Sequence, residues 1–280
     1  MSPRLQNRIA IVTGSSSGLG RAIALLYAEE GARVACADLV PASKDEVATH
    51  ELIVKNGGEA IFVKTDVGEE SEVEALVRRT VEEWGRLDII VNNAGIAPDV
   101  HFLATQAGGR RVHELSTSVF DLTMRVNARG VFLGCKHALQ QFMKQEPLPA
   151  NGRGDQTRGW IVNVASTGGL VALSGAPGYT TSKHAVVGLT KQIAVDYAKD
   201  KVHCNALCPS FVETPLIAEI TQDTVNPLAV GTTAVLTAAH PWGALGQIED
   251  ISRSALFLVT EDSRWMTGHT LVIDGGYVAR

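Results

Sequence analysis

Short apolar runs alternate along the chain with longer stretches in which apolar residues return every three or four positions. Residues 9–13 form one such run, uninterrupted enough for a strand buried on both faces. Leu19, Ala22, Ile23 and Leu26 then recur at helical spacing as far as Gly31, a residue suited to ending a helix. The alternation continues, with strand-like runs at 33–38, 60–65, 87–91, 160–165, 202–208 and 271–274. Between them lie helix-like segments at 44–56, 69–84, 118–145, 179–199 and 249–260. Strands joined in this way predict an α/β fold, a single-domain Rossmann-like doubly wound parallel sheet of about seven strands with helices on both faces. No linker or repeat divides residues 1–280. Three segments lack a period: 106–116 and 146–159, which read as loop insertions, and 210–246, which has turn residues throughout.

In parallel sheets ligands bind beyond the carboxyl ends of the strands, and there this chain places Gly14, Asp38, Asp66 and Asn93. The first end opens Thr13-Gly14-Ser15-Ser16-Ser17-Gly18-Leu19-Gly20. Its glycines permit close backbone approach, and the free N–H groups of the following helix attract a pyrophosphate. A glycine-rich turn without a ligand is the plain alternative. Asp38, twenty residues after Gly18, stands where a carboxylate would accept hydrogen bonds from a ribose. A 2′-phosphate would meet it with like charge, and Ser16 and Leu39 bring no compensating cation, which favours NAD over NADP.

Tyr179 and Lys183 are four residues apart in a helix-like segment and so share a face. A phenol working near neutral pH needs its pKa lowered by about 3 units, roughly 4 kcal/mol, and a neighbouring ammonium acts in that direction. Spacing alone also fits an ordinary surface pair.

Composition narrows the classes. With 45% hydrophobic and 20% charged residues in 280, the chain can bury a large core. A net charge of −5 and a pI near 5.9 remove the basic surplus of a nucleic-acid binder. The first eight residues lack the apolar core of a signal peptide, and no run reaches the 18 or so apolar residues of a membrane span. Cys36, Cys135, Cys204 and Cys208 are scattered; the last two lie about 13 Å apart on a strand, beyond disulfide reach. They read as buried thiols in a reducing, cytoplasmic setting. No cluster of ligands indicates a metal site.

The glycine motif, the tetrapeptide Asn92-Asn93-Ala94-Gly95, Val126-Asn127-Ala128-Arg129-Gly130, Ser166, the Tyr179–Lys183 pair, the 209–214 stretch and Ile273-Asp274-Gly275-Gly276 resemble, in order and spacing, the short-chain dehydrogenase/reductase family over nearly the whole chain. The resemblance implies hydride transfer between a nicotinamide cofactor and a secondary alcohol or ketone. Its catalytic residues would be Tyr179 as general acid/base, Lys183 on the nicotinamide ribose, Ser166 on the substrate oxygen and Asn127 in a water relay. Cofactor contacts are implied for Gly14, Ser16, Ser17, Gly18, Leu19, Gly20, Asp38, Asp66, Val67, Asn93, Ala94, Gly95, Tyr179, Lys183, Pro209, Val212 and Thr214. Ser210 departs from the family's Pro-Gly. The 210–246 stretch would cover the substrate, with Phe102, Leu170, Leu173, Phe211, Leu216, Ile217 and Trp242 making a largely apolar pocket for a terpenoid, steroid or polyketide-like molecule. A homodimer or homotetramer is also implied. The alternatives are an NADPH-dependent carbonyl or 3-oxoacyl reductase and, from another class, a nucleotide-binding regulator without turnover.

Overall fold

The computed structural model describes residues 3–43, 46–100, 110–151, 153–218 and 225–279. Seven parallel strands, β1 (Ile9–Thr13), β2 (Arg33–Asp38), β3 (Glu59–Lys64), β4 (Ile89–Asn92), β5 (Gly159–Val164), β6 (Val202–Pro209) and β7 (Thr270–Ile273), lie in the order β3-β2-β1-β4-β5-β6-β7. The order reverses between β1 and β4, paired through Ala10 with Ile89 and Val12 with Val91. Successive strand residues point to opposite faces, so two cores form. Ala10, Val12, Val34, Val91 and Val162 join Ile23, Tyr27, Ile251 and Leu256 on one side. Ile11, Ala35, Ile90 and Ile161 join Leu76, Phe142, Val186 and Ile193 on the other. Helices α1 (Gly18–Glu29), α2 (Thr49–Lys55) and α3 (Glu70–Trp84) are followed by α4 (Thr117–Met124), α5 (Gly130–Lys144) and α6 (Pro177–Tyr197). Then come α7 (Pro227–Ala239) and α8 (Ile248–Phe257).

Three elements differ from the sequence expectation. The helix expected over 44–56 is only Thr49–Lys55, because Arg21 takes the Val47 carbonyl at 2.7 Å and the Thr49 hydroxyl donates to the Ser15 carbonyl at 2.7 Å. Those bonds draw residues 46–48 towards α1 and the glycine loop instead of into a helical turn, while Lys44 and Asp45 lie outside the described residues. The continuous helix expected over 118–145 is broken by a wide π turn, Arg125–Arg129, between α4 and α5. The stretch read as an unpatterned loop contains α7. Its Ala, Thr and Val side chains form no stripe, and only Ala229 and Leu236 are buried. Its start was nevertheless legible: Asn226 caps the Leu228 N–H at 3.0 Å and Pro227 occupies the first turn.

The 146–158 loop is exposed over most of its described length and precedes β5, so it lies at the rim opposite the carboxyl ends. Asp155 binds Arg264 there at 2.9 Å. All four cysteines are buried and free. No helix among the described residues is long and apolar enough to cross a membrane.

Candidate active site

Where the strand order reverses, helices leave β1 and β4 on opposite faces and open a crevice at the carboxyl rim. The cleft has a volume of about 510 Å3, within the ~300–1,000 Å3 usual for ligand sites. Every residue with an expected catalytic or cofactor role faces it except Ser16, Gly20 and Asn127, which stand behind its wall.

At one end the backbone makes the site. Gly14 and Gly18 have φ of +66° and +52°, a region that disfavours a side chain. A Cβ on Gly20 would stand only 2.0 Å from the Gly14 carbonyl oxygen, so the absence of a side chain lets α1 press against the end of β1. Ser17 makes no side-chain cap and the first turn holds no acid, leaving the first N–H groups of α1 open to an anion. These features fit the pyrophosphate of a dinucleotide. Ser16, placed among the cofactor contacts from sequence, is 4% exposed and turned inward; its N–H donates to Asp38 Oδ2 at 3.0 Å. Leu39 N–H holds the other oxygen at 2.8 Å, so the Asp38 carboxylate is oriented at the cleft wall.

Asp66 lies farther along the same wall, its Oδ2 2.6 Å from Arg125 and its Oδ1 accepting from Gly68 N–H at 2.8 Å. Burial pushes this carboxyl upward, but the two bonds outweigh burial and hold it below its ordinary value. Asn93 clamps the loops: its side chain donates to the Thr13 and Gly14 carbonyls at 2.9 and 3.2 Å. Thr13 Oγ1 in turn accepts from Asn93 and Ala94 N–H. Asn92 points the other way, into the sheet, where it donates to Asn163 Oδ1 at 2.9 Å.

At the inner end Tyr179 and Lys183 project from α6 beside Ser166, at the end of β5. Lys183 is 4% exposed, and its ammonium lies 5.6 Å from the centre of the Tyr179 ring and donates to the Val164 carbonyl at 2.8 Å. Burial pushes its pKa down to about 8. The expectation that Lys183 depresses the Tyr179 pKa is not met in this state. Burial raises the phenol, Asp99 adds to the rise, and the Ser166 hydroxyl, hydrogen-bonded to it, opposes both. The cation that would counter burial is itself desolvated and engaged by a carbonyl. Ser166 also accepts from Gly168 N–H at 3.0 Å.

Asn127 is fully buried in the π turn. Its Oδ1 accepts from Ile96 N–H at 2.8 Å, and its Nδ2 donates to the Ile96 carbonyl at 2.8 Å and to Ser182 Oγ at 3.1 Å. A side chain at Gly95 would come within 3.3 Å of Asn127 Oδ1 and 3.7 Å of Lys183 Nζ. Glycine there keeps a space open between the two groups.

Of the apolar pocket residues expected from sequence, Leu173, Phe211, Leu216 and Ile217 line the cleft. Leu170 instead packs on the helix-covered core of the sheet and Trp242 is 83% exposed; Phe102 lies outside the described residues. Sequence reasoning missed Thr13, Asp99 and Ser182, which position the site from behind. Asp99 is 0% exposed and accepts the Tyr179 backbone N–H at 2.9 Å. Its only sequence signal was a lone acid in an apolar stretch, four residues after Gly95.

Comparison with known proteins returns the same fold. A family model described as enoyl-(acyl carrier protein) reductase matches residues 14–278. The 2-(R)-hydroxypropyl-CoM dehydrogenase of Xanthobacter autotrophicus is 38% identical over 98% of this chain and 99% of its own length. The 3beta-hydroxysteroid dehydrogenase 2 of Eggerthella lenta is 36% identical over 99% and 97%. A solved short-chain type dehydrogenase/reductase from Mycobacterium marinum superposes with a TM-score of 0.83 and 29% identity, covering 100% of this chain and 98% of that one.

Proposed function

The chain belongs to the short-chain dehydrogenase/reductase family, and on that premise we propose that it moves hydride between NAD(H) and a lipophilic secondary alcohol or its ketone, with Tyr179 as general acid/base. One observation supports this reading most: Tyr179, Ser166 and Lys183 converge at the inner end of a cleft whose outer end offers an uncapped helix N-terminus and the oriented Asp38 carboxylate.

When bound, a nicotinamide dinucleotide supplies the hydride acceptor or donor, with a positive ring in the oxidised form. The chain supplies the rest. Tyr179 receives the hydroxyl proton as the phenolate during oxidation and, as the phenol, returns it during reduction. Ser166 hydrogen-bonds the substrate oxygen where charge develops. The ammonium of Lys183 would hold the nicotinamide ribose. Protons pass from Lys183 towards solvent through water in the space beside Gly95, against Asn127. Asp38 accepts from the adenosine ribose and repels a 2′-phosphate, which selects NAD.

The substrate end is walled by Ala97, Leu173, Phe211, Leu216 and Ile217, and no Arg or Lys side chain lines the cleft apart from Lys183, among the described residues. A neutral, alicyclic or otherwise lipophilic alcohol suits that wall, in keeping with the steroid dehydrogenase among the relatives. The partly exposed Phe120, Phe132 and Met143 of α4 and α5 favour burial against a second copy, giving a homodimer or homotetramer.

Single-turnover reduction of a panel of cyclic and acyclic ketones, with NADH and NADPH in parallel, tests the reading. NADH is expected to react at least about tenfold faster, since like-charge juxtaposition costs several kcal/mol. Tyr179→Phe is expected to lower the rate by about 10²- to 10⁴-fold with NADH still bound. A preference for NADPH would defeat the role of Asp38, and an undiminished Tyr179→Phe rate that of Tyr179.

A further inference from the structure

Ser210 lines the cleft between Pro209 and Phe211, and the chemistry above makes no use of its hydroxyl. Its backbone is fixed, the N–H donating to the Ile273 carbonyl at 3.1 Å as a continuation of the β6–β7 pairing. Its side chain meets His240, which is 3% exposed at the end of α7. The two contacts of that ring settle the direction of the bond. His240 Nδ1 lies 2.6 Å from the Leu236 carbonyl oxygen. A carbonyl only accepts, so Nδ1 carries the ring proton. In the neutral imidazole Nε2 is then bare, and it lies 2.8 Å from Ser210 Oγ. The serine hydroxyl must donate to it. Phe211, edge-on at 6.3 Å, and Tyr277 at 5.1 Å hold the ring in this orientation.

With its proton directed at His240, Ser210 Oγ has only lone pairs left to offer the cleft. The neighbouring wall, Phe211, Val212, Leu216 and Ile217, is apolar, where a polar group without a partner is costly. We propose that Ser210, oriented by His240, is an acceptor site for a neutral hydrogen-bond donor, an amide N–H or a hydroxyl, on the molecule bound in the cleft, with His240 as its positioning residue. This deepens, and rests on, the reading of the cleft as a site for a nicotinamide dinucleotide and an alcohol. The donor has two sources, the carboxamide of the nicotinamide or a second hydroxyl on the substrate.

The test compares the unaltered protein with Ser210→Gly and His240→Phe. Calorimetry gives dissociation constants for NAD+ and for 3-acetylpyridine adenine dinucleotide, whose methyl ketone has no N–H to donate. Initial rates give KM for cyclohexanol and for the cyclohexanediols. If the carboxamide is the donor, the preference for NAD+ over the acetyl analogue falls by about 3- to 10-fold in Ser210→Gly, the range of one hydrogen bond, and falls in His240→Phe as well. If the substrate is the donor, that preference stays constant and the preference for a diol over cyclohexanol falls by the same factor. Neither preference moving in a Ser210→Gly protein that unfolds cooperatively overturns the proposal; Ser210→Ala serves if glycine loosens the strand end. Failure of the unaltered protein to bind NAD+ or NADH overturns the proposed function itself, and this site with it, before any variant is made.

Discussion

Tyr179 begins with its pKa displaced the wrong way for a base, and the residues responsible can be named. Burial raises the phenol, and Asp99, which holds the Tyr179 N–H near the start of α6, raises it further through its charge. Among the described residues Asp99 Oδ1 has no hydrogen-bond partner. On the proposed mechanism oxidation needs the phenolate, and its rate is therefore expected to climb as pH rises through the Tyr179 pKa. Removing the Asp99 charge favours the phenolate and lowers that pKa. Asp99→Asn is expected to move the rising limb of the kcat/KM profile for alcohol oxidation to lower pH while keeping an acceptor for the helix N–H. Asp99→Ala should move the limb the same way and also lose about 1 kcal/mol of stability, as other lost helix caps do. An unmoved limb in the asparagine variant would mean that Asp99 acts only as a cap.

At the scale of elements, the site depends on two places where a regular element is altered. One is the β1–α1 turn, closed so tightly that Gly20 touches the Gly14 carbonyl. Gly20→Ala cannot fit its methyl without shifting α1 from β1. Overpacking of this kind costs about 1–3 kcal/mol, so the thermal midpoint should fall. NAD+ affinity measured by calorimetry should fall with it, because the N–H groups of α1 leave their aim. Retained affinity would show that the cradle is more compliant than its packing implies. The other place is the π turn between α4 and α5, which carries Asn127 to Ile96 and Ser182 and so ties the β4 loop to the helix bearing Tyr179. Turns of this type recur at functional sites. The sequence showed one helical period there, because a single extra residue in a turn barely disturbs the pattern of apolar positions.

For the molecule as a whole, the two sheet faces are covered, but Phe132 and Met143 are about half exposed on α5. Exposed apolar groups of this size, about three turns apart on one helix face, favour association. Sedimentation velocity is expected to show a dimer or tetramer, and Phe132→Glu with Met143→Glu to shift it towards monomer. An unaltered sedimentation coefficient in the double variant would place the interface, if one forms, elsewhere.

The parallel sheet of about seven strands, the rim on which Gly14, Asp38, Asp66 and Asn93 stand, and the pairing of Tyr179 with Lys183 were legible in the chain. Each follows from local period, turn chemistry or spacing, which neighbours in sequence encode. Helix α7 escaped because its side chains are nearly uniform around the axis, and the shortened α2 because Arg21 and Ser15 compete for its first turn. Only tertiary structure decided that Ser16 faces inward to hold Asp38, that Leu170 belongs to the core, and that Asp99 and His240 stand behind Tyr179 and Ser210. Those assignments depend on groups tens of residues apart meeting in a buried space, where a hydrogen bond or a charge gains its strength from the exclusion of water.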